Sequence, residues 1–161
     1  MSATGTASIR PASGTPDMAV VRRLFEDYAA WLDIDLCFQG FAAELAGLPG
    51  RYAPPGGGLW LAETSQGRAI GCVGLRPLAD SPGSAELKRL WVAAEGRGQG
   101  LGRRLSEIAL AAAGAAGYRR LALDTLPRMA EARRLYRDLG FVEVAGPPAP
   151  EPLIYMAKEF A

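Results

Sequence analysis

Apolar and polar positions change rhythm several times along this chain. Through residues 16–32, Val20, Val21, Leu24, Tyr28, Trp31 and Leu32 recur at helical spacing, with Thr15 as the expected N-cap and Pro16 at the first helical position. A second helical segment is predicted from about residue 38 to 48, stopped by Pro49-Gly50. The rhythm then shortens. Residues 59–63, 69–75 and 85–92 read as strands separated by turn-forming residues, and 8–11 reads as a short strand ahead of the first helix. Further on, 101–116 predicts a helix with Gly117 at its C-cap, 119–125 a strand, and 129–139 a helix closed by Gly140. The last two strands, 141–144 and 153–160, are joined by the proline-rich link 146–152. The order is strand, two helices, three strands, helix, strand, helix, two strands: a mixed α/β layout without internal repeats.

Bulk properties narrow the classes. A chain of 161 residues suits a single domain, with 1–7 expected to be disordered. Apolar residues make up 49% and charged residues 22%, as in soluble globular proteins. A net charge of +1 argues against a dedicated nucleic-acid surface, so no nucleic-acid partner is expected. The N-terminal residues form no apolar run, and the longest apolar stretch, 108–116, is too short to cross a bilayer. The expectation is a cytoplasmic protein without a membrane partner. Cys37 and Cys72 form no CxxC pair and read as reduced thiols, although a disulfide stays open. There is no histidine, which removes Ser-His and Cys-His mechanisms and most zinc sites, and no metal is expected. Acid–base work falls to Asp, Glu, Tyr, Lys, Cys, water or a terminus.

The feature with most chemistry in it is the stretch from Trp91 to Gly102, where Gly96, Gly98, Gly100 and Gly102 alternate between a strand and a helix. Glycines let the backbone turn tightly and approach a ligand closely. The amides of a helix start have no internal partner and sit in the positive end of the helix dipole, which suits a pyrophosphate. Arg97, Arg103 and Arg104 add charge. On glycine content alone the stretch is equally a connector that binds nothing. It is not a P-loop, since Arg103 and Arg104 stand where Lys and Ser/Thr are needed, and the glycines do not match a dinucleotide fingerprint.

The pattern Arg97-x-x-Gly100-x-Gly102 resembles the [Q/R]-x-x-G-x-[G/A] signature of the GNAT N-acetyltransferases. Residues 87–92 (LKRLWV) resemble that family's fourth strand, and 132–141 (ARRLYRDLGF) its A-x-x-L-Y-x-x-x-G-F segment. The resemblance covers residues 58–160. It implies a central mixed, mostly antiparallel sheet of about seven strands flanked by about four helices, and transfer of an acetyl group from acetyl-CoA to an amine of a small molecule or peptide. It also implies a possible homodimer. Leu90, Trp91 and Val92 would pair with the pantetheine arm, the Val92 N–H would polarise the thioester carbonyl, and the amides of Arg97, Gly98, Gln99, Gly100, Leu101 and Gly102 would hold the pyrophosphate. Met129 stands where many members place an asparagine that binds CoA.

The same resemblance assigns roles in catalysis. Glu86 occupies a place where several members keep a general base, and Asp124 one where others keep a glutamate; Glu86 is expected to be the main base and Asp124 an auxiliary group. Tyr136 matches the tyrosine that protonates the departing thiolate. By alternation Glu86, Lys88, Leu90 and Val92 share one face of their strand if no bulge intervenes. Read from the residues alone, Glu86 and Asp124 are also consistent with carboxylates ion-paired to Lys88, Arg89 or Arg128, and Tyr136 with a packed aromatic. Lys88 and Arg89 hint at an acceptor that also carries a carboxylate, and Trp31, Phe38 and Tyr52 are candidates to line its site. Cys72, mid-strand, reads as a buried structural thiol rather than an acyl carrier. An inactive acyl-CoA-binding module is the alternative function.

Overall fold

In the computed structural model, residues 6–36 and 40–160 are described. They form β1 (Ser8–Pro11), α1 (Gly14–Leu32), α2 (Phe41–Ala46), β2 (Gly58–Glu63), β3 (Ala69–Pro77), β4 (Ser84–Val92), α3 (Leu101–Ala115), β5 (Arg120–Thr125), α4 (Ala130–Asp138), β6 (Val142–Val144) and β7 (Ile154–Glu159), with 3-10 turns at Gly50–Tyr52 and Ala94–Gly96. Seven strands make one mixed sheet in the order β1-β2-β3-β4-β5-β7-β6. Every neighbouring pair is antiparallel except β4 and β5, which run parallel.

The helices cover the sheet because their apolar stripes match its two faces. In α3, Leu101, Leu105, Ala109 and Ala113 recur every four residues and are all buried against β2, β3 and β4. In α1 the buried Met18, Val21, Leu24 and Phe25 join Leu59, Leu61, Cys72 and Trp91 in a second core, while Leu32 packs with Leu36 and Leu126 in a third. Ser13, not Thr15, is the N-cap of α1. Asp17 explains the earlier start: its Oδ2 accepts from the Ser13 N–H at 2.9 Å. Arg10 binds the same carboxylate and, with that amide, holds its pKa down at about 2. Ala7, placed by the sequence in a disordered tail, is instead buried, and its carbonyl accepts from Arg104 Nη1 at 2.9 Å. The second helix is shorter than expected, and Phe38 and Cys37 lie outside the described residues.

Two irregularities in the middle of the sheet shape everything that follows. First, the β3–β4 register shifts between Cys72 and Gly74, and Arg89, opposite that shift, has φ 59°. This bulge overturns the simple alternation expected along β4. Ala85 and Leu87 face the α3 core, and beyond the bulge so do Leu90 and Val92, whereas Glu86 and Lys88 lie on the opposite face. Second, β4 and β5 pair only from Ser84–Arg120 to Glu86–Ala122, although β4 continues to Val92 and β5 to Thr125. The two strands part just where the bulge begins.

Candidate active site

The space between the parted strands is built up from backbone first. Ala93 N–H donates back to Ile70 of β3 at 2.8 Å. In an antiparallel ladder successive residues point their amides to opposite sides, so the N–H and C=O of Val92 face the edge that β5 has left. The Val92 carbonyl accepts there from Arg97 Nε at 3.1 Å.

From that edge the chain turns through Gly96 to Gly102 into α3. Gly100 is the N-cap of α3 at φ 72°, and Gly98 has φ 79°. A Cβ at either would meet no atom within 4 Å, so both turn their open side toward free space. That space is a cleft of about 570 Å³ lined by Leu90, Trp91, Val92, Arg97, Gly98, Gly100, Leu101 and Gly102 on one side and by α4 and its approach, including Met129 and Leu135, on the other. The cleft therefore gathers eight of the nine residues assigned to the cofactor from sequence. Gln99 is the exception: its Nε2 donates to the Glu95 carbonyl at 3.2 Å. One wall is aromatic. The Arg97 guanidinium lies 5.3 Å from the Trp31 ring centre and 5.1 Å from that of Trp91, whose indole N–H is buried without an acceptor among the described residues.

Deeper between the strands is a small cavity of about 20 Å³ bounded by Tyr28, Leu87, Lys88, Arg89, Leu90, Asp124, Thr125, Met129 and Tyr136. Leu90 and Met129 border both this cavity and the cleft. Burial pushes the Tyr28 phenol up to about 12 and raises that of Tyr136 as well, so both keep their protons at neutral pH. The Tyr136 ring is held edge-on to Phe141 at 5.8 Å.

On the far side a cavity of about 500 Å³ opens between β4, β5 and the 144–153 link, lined among others by Arg76, Glu86, Lys88, Arg120, Asp124 and Tyr155. Lys88 and Asp124 border both this cavity and the small one, and Lys88 Nζ donates to Asp124 Oδ2 at 3.2 Å. Glu86 borders the far cavity alone, with Oε1 accepting from Arg76 Nε at 2.5 Å. The small cavity thus adjoins the cleft at Leu90 and Met129 and the far cavity at Lys88 and Asp124.

A model of the acetyltransferase (GNAT) family matches residues 21–141 of this sequence. The chain belongs to the GNAT acetyltransferase family. An uncharacterised N-acetyltransferase of Schizosaccharomyces pombe is 37% identical to it over 125 residues, spanning 78% of this chain and 76% of that protein. Among solved structures, an acetyltransferase of Streptococcus agalactiae has a TM-score of 0.76 at 20% identity, over 96% of this chain and 99% of that one. A Salmonella typhimurium protein described as an acetyltransferase, solved with its cofactor acetyl-CoA, has a TM-score of 0.72 at 20% identity, over 96% and 94% of the two chains.

Of the aromatic residues offered from sequence for the acceptor site, Trp31 lines the cleft, and Tyr52 is packed in the α1 core against Phe25, 5.8 Å between ring centres. Glu44, Arg76 and Tyr28 were not assigned to the site by sequence. Glu44 sits on a short helix with no buried apolar residue to mark its register, so nothing local announced that its carboxylate points inward. Lys88 did carry a signal, since among 18 lysines and arginines only it and Lys158 are lysines.

Proposed function

We propose that this GNAT enzyme transfers an acetyl group from acetyl-CoA directly to an amine of a small molecule or peptide, in a ternary complex without an acyl-enzyme. The observation that carries the reading is the succession of adjoining spaces from the glycine turn, past Tyr136, to the carboxylate-lined far cavity, each sharing lining residues with the next. The cleft fits an acyl-CoA on features of its own: open space over Gly98 and Gly100, the start of α3 for a pyrophosphate, and the outward-facing Val92 amide for a thioester carbonyl.

The chain's own groups then have distinct tasks. Glu86 and Asp124 draw a cationic amine into the far cavity; Asp124, bordering the small cavity too, is the one beside the point of transfer. Tyr136, protonated and next to Leu90, donates to the leaving sulfur. Cys72 takes no covalent part: it is fully buried, its thiol donates to the Arg89 carbonyl at 3.4 Å, and burial pushes its pKa up. The test is a panel of amines assayed by release of the CoA thiol, followed by initial rates with both substrates varied. Intersecting lines are expected. Parallel lines overturn direct transfer, and acetyl-CoA binding with no turnover across the panel points instead to an acyl-CoA-sensing module.

A further inference from the structure

Lysine is nearly absent from this protein. Wherever else a fixed positive charge is needed the chain uses arginine, which does not give up its proton in proteins; Lys158, on the terminal strand, is the other lysine. Arginines serve the buried pairs with Glu44 and Glu86, the contacts of the cofactor cleft and the rim of the far cavity. At the junction between the far cavity and the small one stands a lysine, with its side chain 5% exposed. Two arginines lie near it in the sheet, Arg76 diagonally across the ladder, where it pairs with Glu86, and Arg89 next along the strand.

We propose that Lys88 is the proton acceptor for the incoming ammonium of the amine substrate, with Asp124 holding that ammonium against it. The inference rests on the amine-acetyltransferase reading given above. Three observations support it. Lys88 and Asp124 are the residues that border both the acceptor-side cavity and the cavity under Tyr136. In a chain without histidine, lysine is the one cationic side chain that can become neutral. Its environment also favours the neutral amine: burial pushes its pKa down, Asp124 and Glu86 pull it up, and Arg89 and Arg76 push it down again, leaving it below the ordinary lysine value. Among the described residues, Tyr28 and Tyr136 also border this spot, and both stay uncharged at neutral pH. Glu86 is a weaker candidate for this role, because its Oε1 is engaged by Arg76 and it does not reach the small cavity.

The protons balance without a further reactant. An alkylammonium, with a pKa near that of lysine at about 10.4, arrives charged. It passes one proton to the neutral Lys88 Nζ. The freed nitrogen lone pair forms the bond to the acetyl carbon, and the carbon–sulfur bond breaks. The nitrogen's remaining surplus proton replaces the one that Tyr136 gives to sulfur. Lys88 then discharges its proton to water through the far cavity.

Two measurements test this. With only two lysines, protein carrying 13C/15N-labelled lysine gives two side-chain signals, and Lys158 serves as the internal reference. Lys88 is expected to titrate well below Lys158 in the acetyl-CoA-bound enzyme. A Lys88 signal that stays charged up to the pH at which Lys158 titrates overturns the proposal, with no acceptor needed. The second measurement compares Lys88→Arg and Lys88→Gln in the thiol-release assay, using the primary amine that the wild type turns over. Arginine keeps the charge and a pair with Asp124 but cannot take a proton, so both variants are expected to lose about 10²-fold in kcat near neutral pH and to regain rate as pH rises. Near-normal activity of Lys88→Arg would show a fixed charge and overturn the proposal. Failure of the wild type to bind acetyl-CoA, or to turn over any amine, strikes the functional reading instead, and the titration of Lys88 still decides its own question.

Discussion

Glu44 grips Arg89 with both carboxylate oxygens: Arg89 Nε lies 3.0 Å from Oε2 and Nη2 3.0 Å from Oε1. The two residues are distant in sequence, and Arg89 is the residue at positive φ in the β4 bulge. A non-glycine residue costs about 1–2 kcal/mol in that region, so the bulge needs an external hold. Glu44 provides it, while also accepting from Arg76 Nη1 at 3.2 Å and from the Tyr52 hydroxyl at 3.0 Å. Phe41 and Tyr28 close over the Arg89 guanidinium, 5.1 and 5.9 Å from their ring centres.

Removing that carboxylate leaves two buried guanidiniums without their shared partner. Glu44→Ala is expected to cost about 3–5 kcal/mol, measured by urea unfolding, with Glu44→Gln milder. The pH dependence has a definite sign. Burial pushes the Glu44 pKa up, but the hydrogen bonds from Arg89 and the charges of Arg89 and Arg76 outweigh it, so the folded value lies below the ordinary 4.5. A carboxylate depressed in the folded state stabilises above its unfolded pKa and loses that contribution as pH falls through the folded one. The stability gap between wild type and Glu44→Gln should therefore be full at pH 6–7 and shrink below about pH 4.3.

Most strands and helices were legible from periodicity, because each buries one face against a partner of matching period. β1 to β5 and α3 fell within two residues of their predicted ends at each boundary. The bulge was not legible. Nothing in the residues 87–92 marks Arg89 for positive φ; it adopts that conformation because of a carboxylate 45 positions away. The same non-local cause hid Glu44 and Arg76 from the site. By contrast the glycine turn announced itself, since the chemistry there is carried by backbone, and the backbone's needs show as glycine.

Two glycines of that turn should respond differently. Gly102 is helical, and a Cβ there would rest 3.7 Å from Leu135 Cδ2, an ordinary contact. Gly102→Ala is expected to bind acetyl-CoA within about threefold of wild type, and helix propensity favours the change by up to about 1 kcal/mol. Gly100 has φ 72°, so Gly100→Val strains the N-cap and places methyl groups over the cleft. Isothermal titration should show acetyl-CoA affinity down by at least about tenfold, with the melting temperature lowered by several degrees. Equal affinities for the two variants would remove the pyrophosphate from this turn.

Tyr136→Phe keeps the ring against Phe141 and removes one proton. Because burial raises its pKa, the wild-type phenol holds that proton across the working range, and any fall in rate from its ionisation should appear only above pH 10. As the acid for the leaving sulfur, its loss should lower kcat by about 10²-fold with little change in acceptor KM. An unchanged kcat would make Tyr136 a packing residue.

Cys72 should be inert. Alkylation of the native protein followed by peptide mapping is expected to leave the Cys72 peptide unmodified over hours and to label it fully in denaturant. Rapid labelling of Cys72 under native conditions, or an acetyl group found on it by mass spectrometry during turnover, would reopen covalent transfer.

The parting of β4 from β5 gives the sheet an edge inside the molecule rather than at its rim. Edges are normally covered or kept short because unpaired strand backbone invites pairing with whatever comes near. Here the stretch from Leu87 to Val92 lies beyond the last β4–β5 pair, and a bound acyl-CoA arm would lie along it as a removable strand. Ligand at a hundred times its dissociation constant adds about 2.7 kcal/mol to the folded state, a large share of what a small domain has. If an acyl-CoA arm occupies this inner edge, the protein should resist a nonspecific protease better as acyl-CoA concentration rises, which limited digestion with and without acetyl-CoA would show.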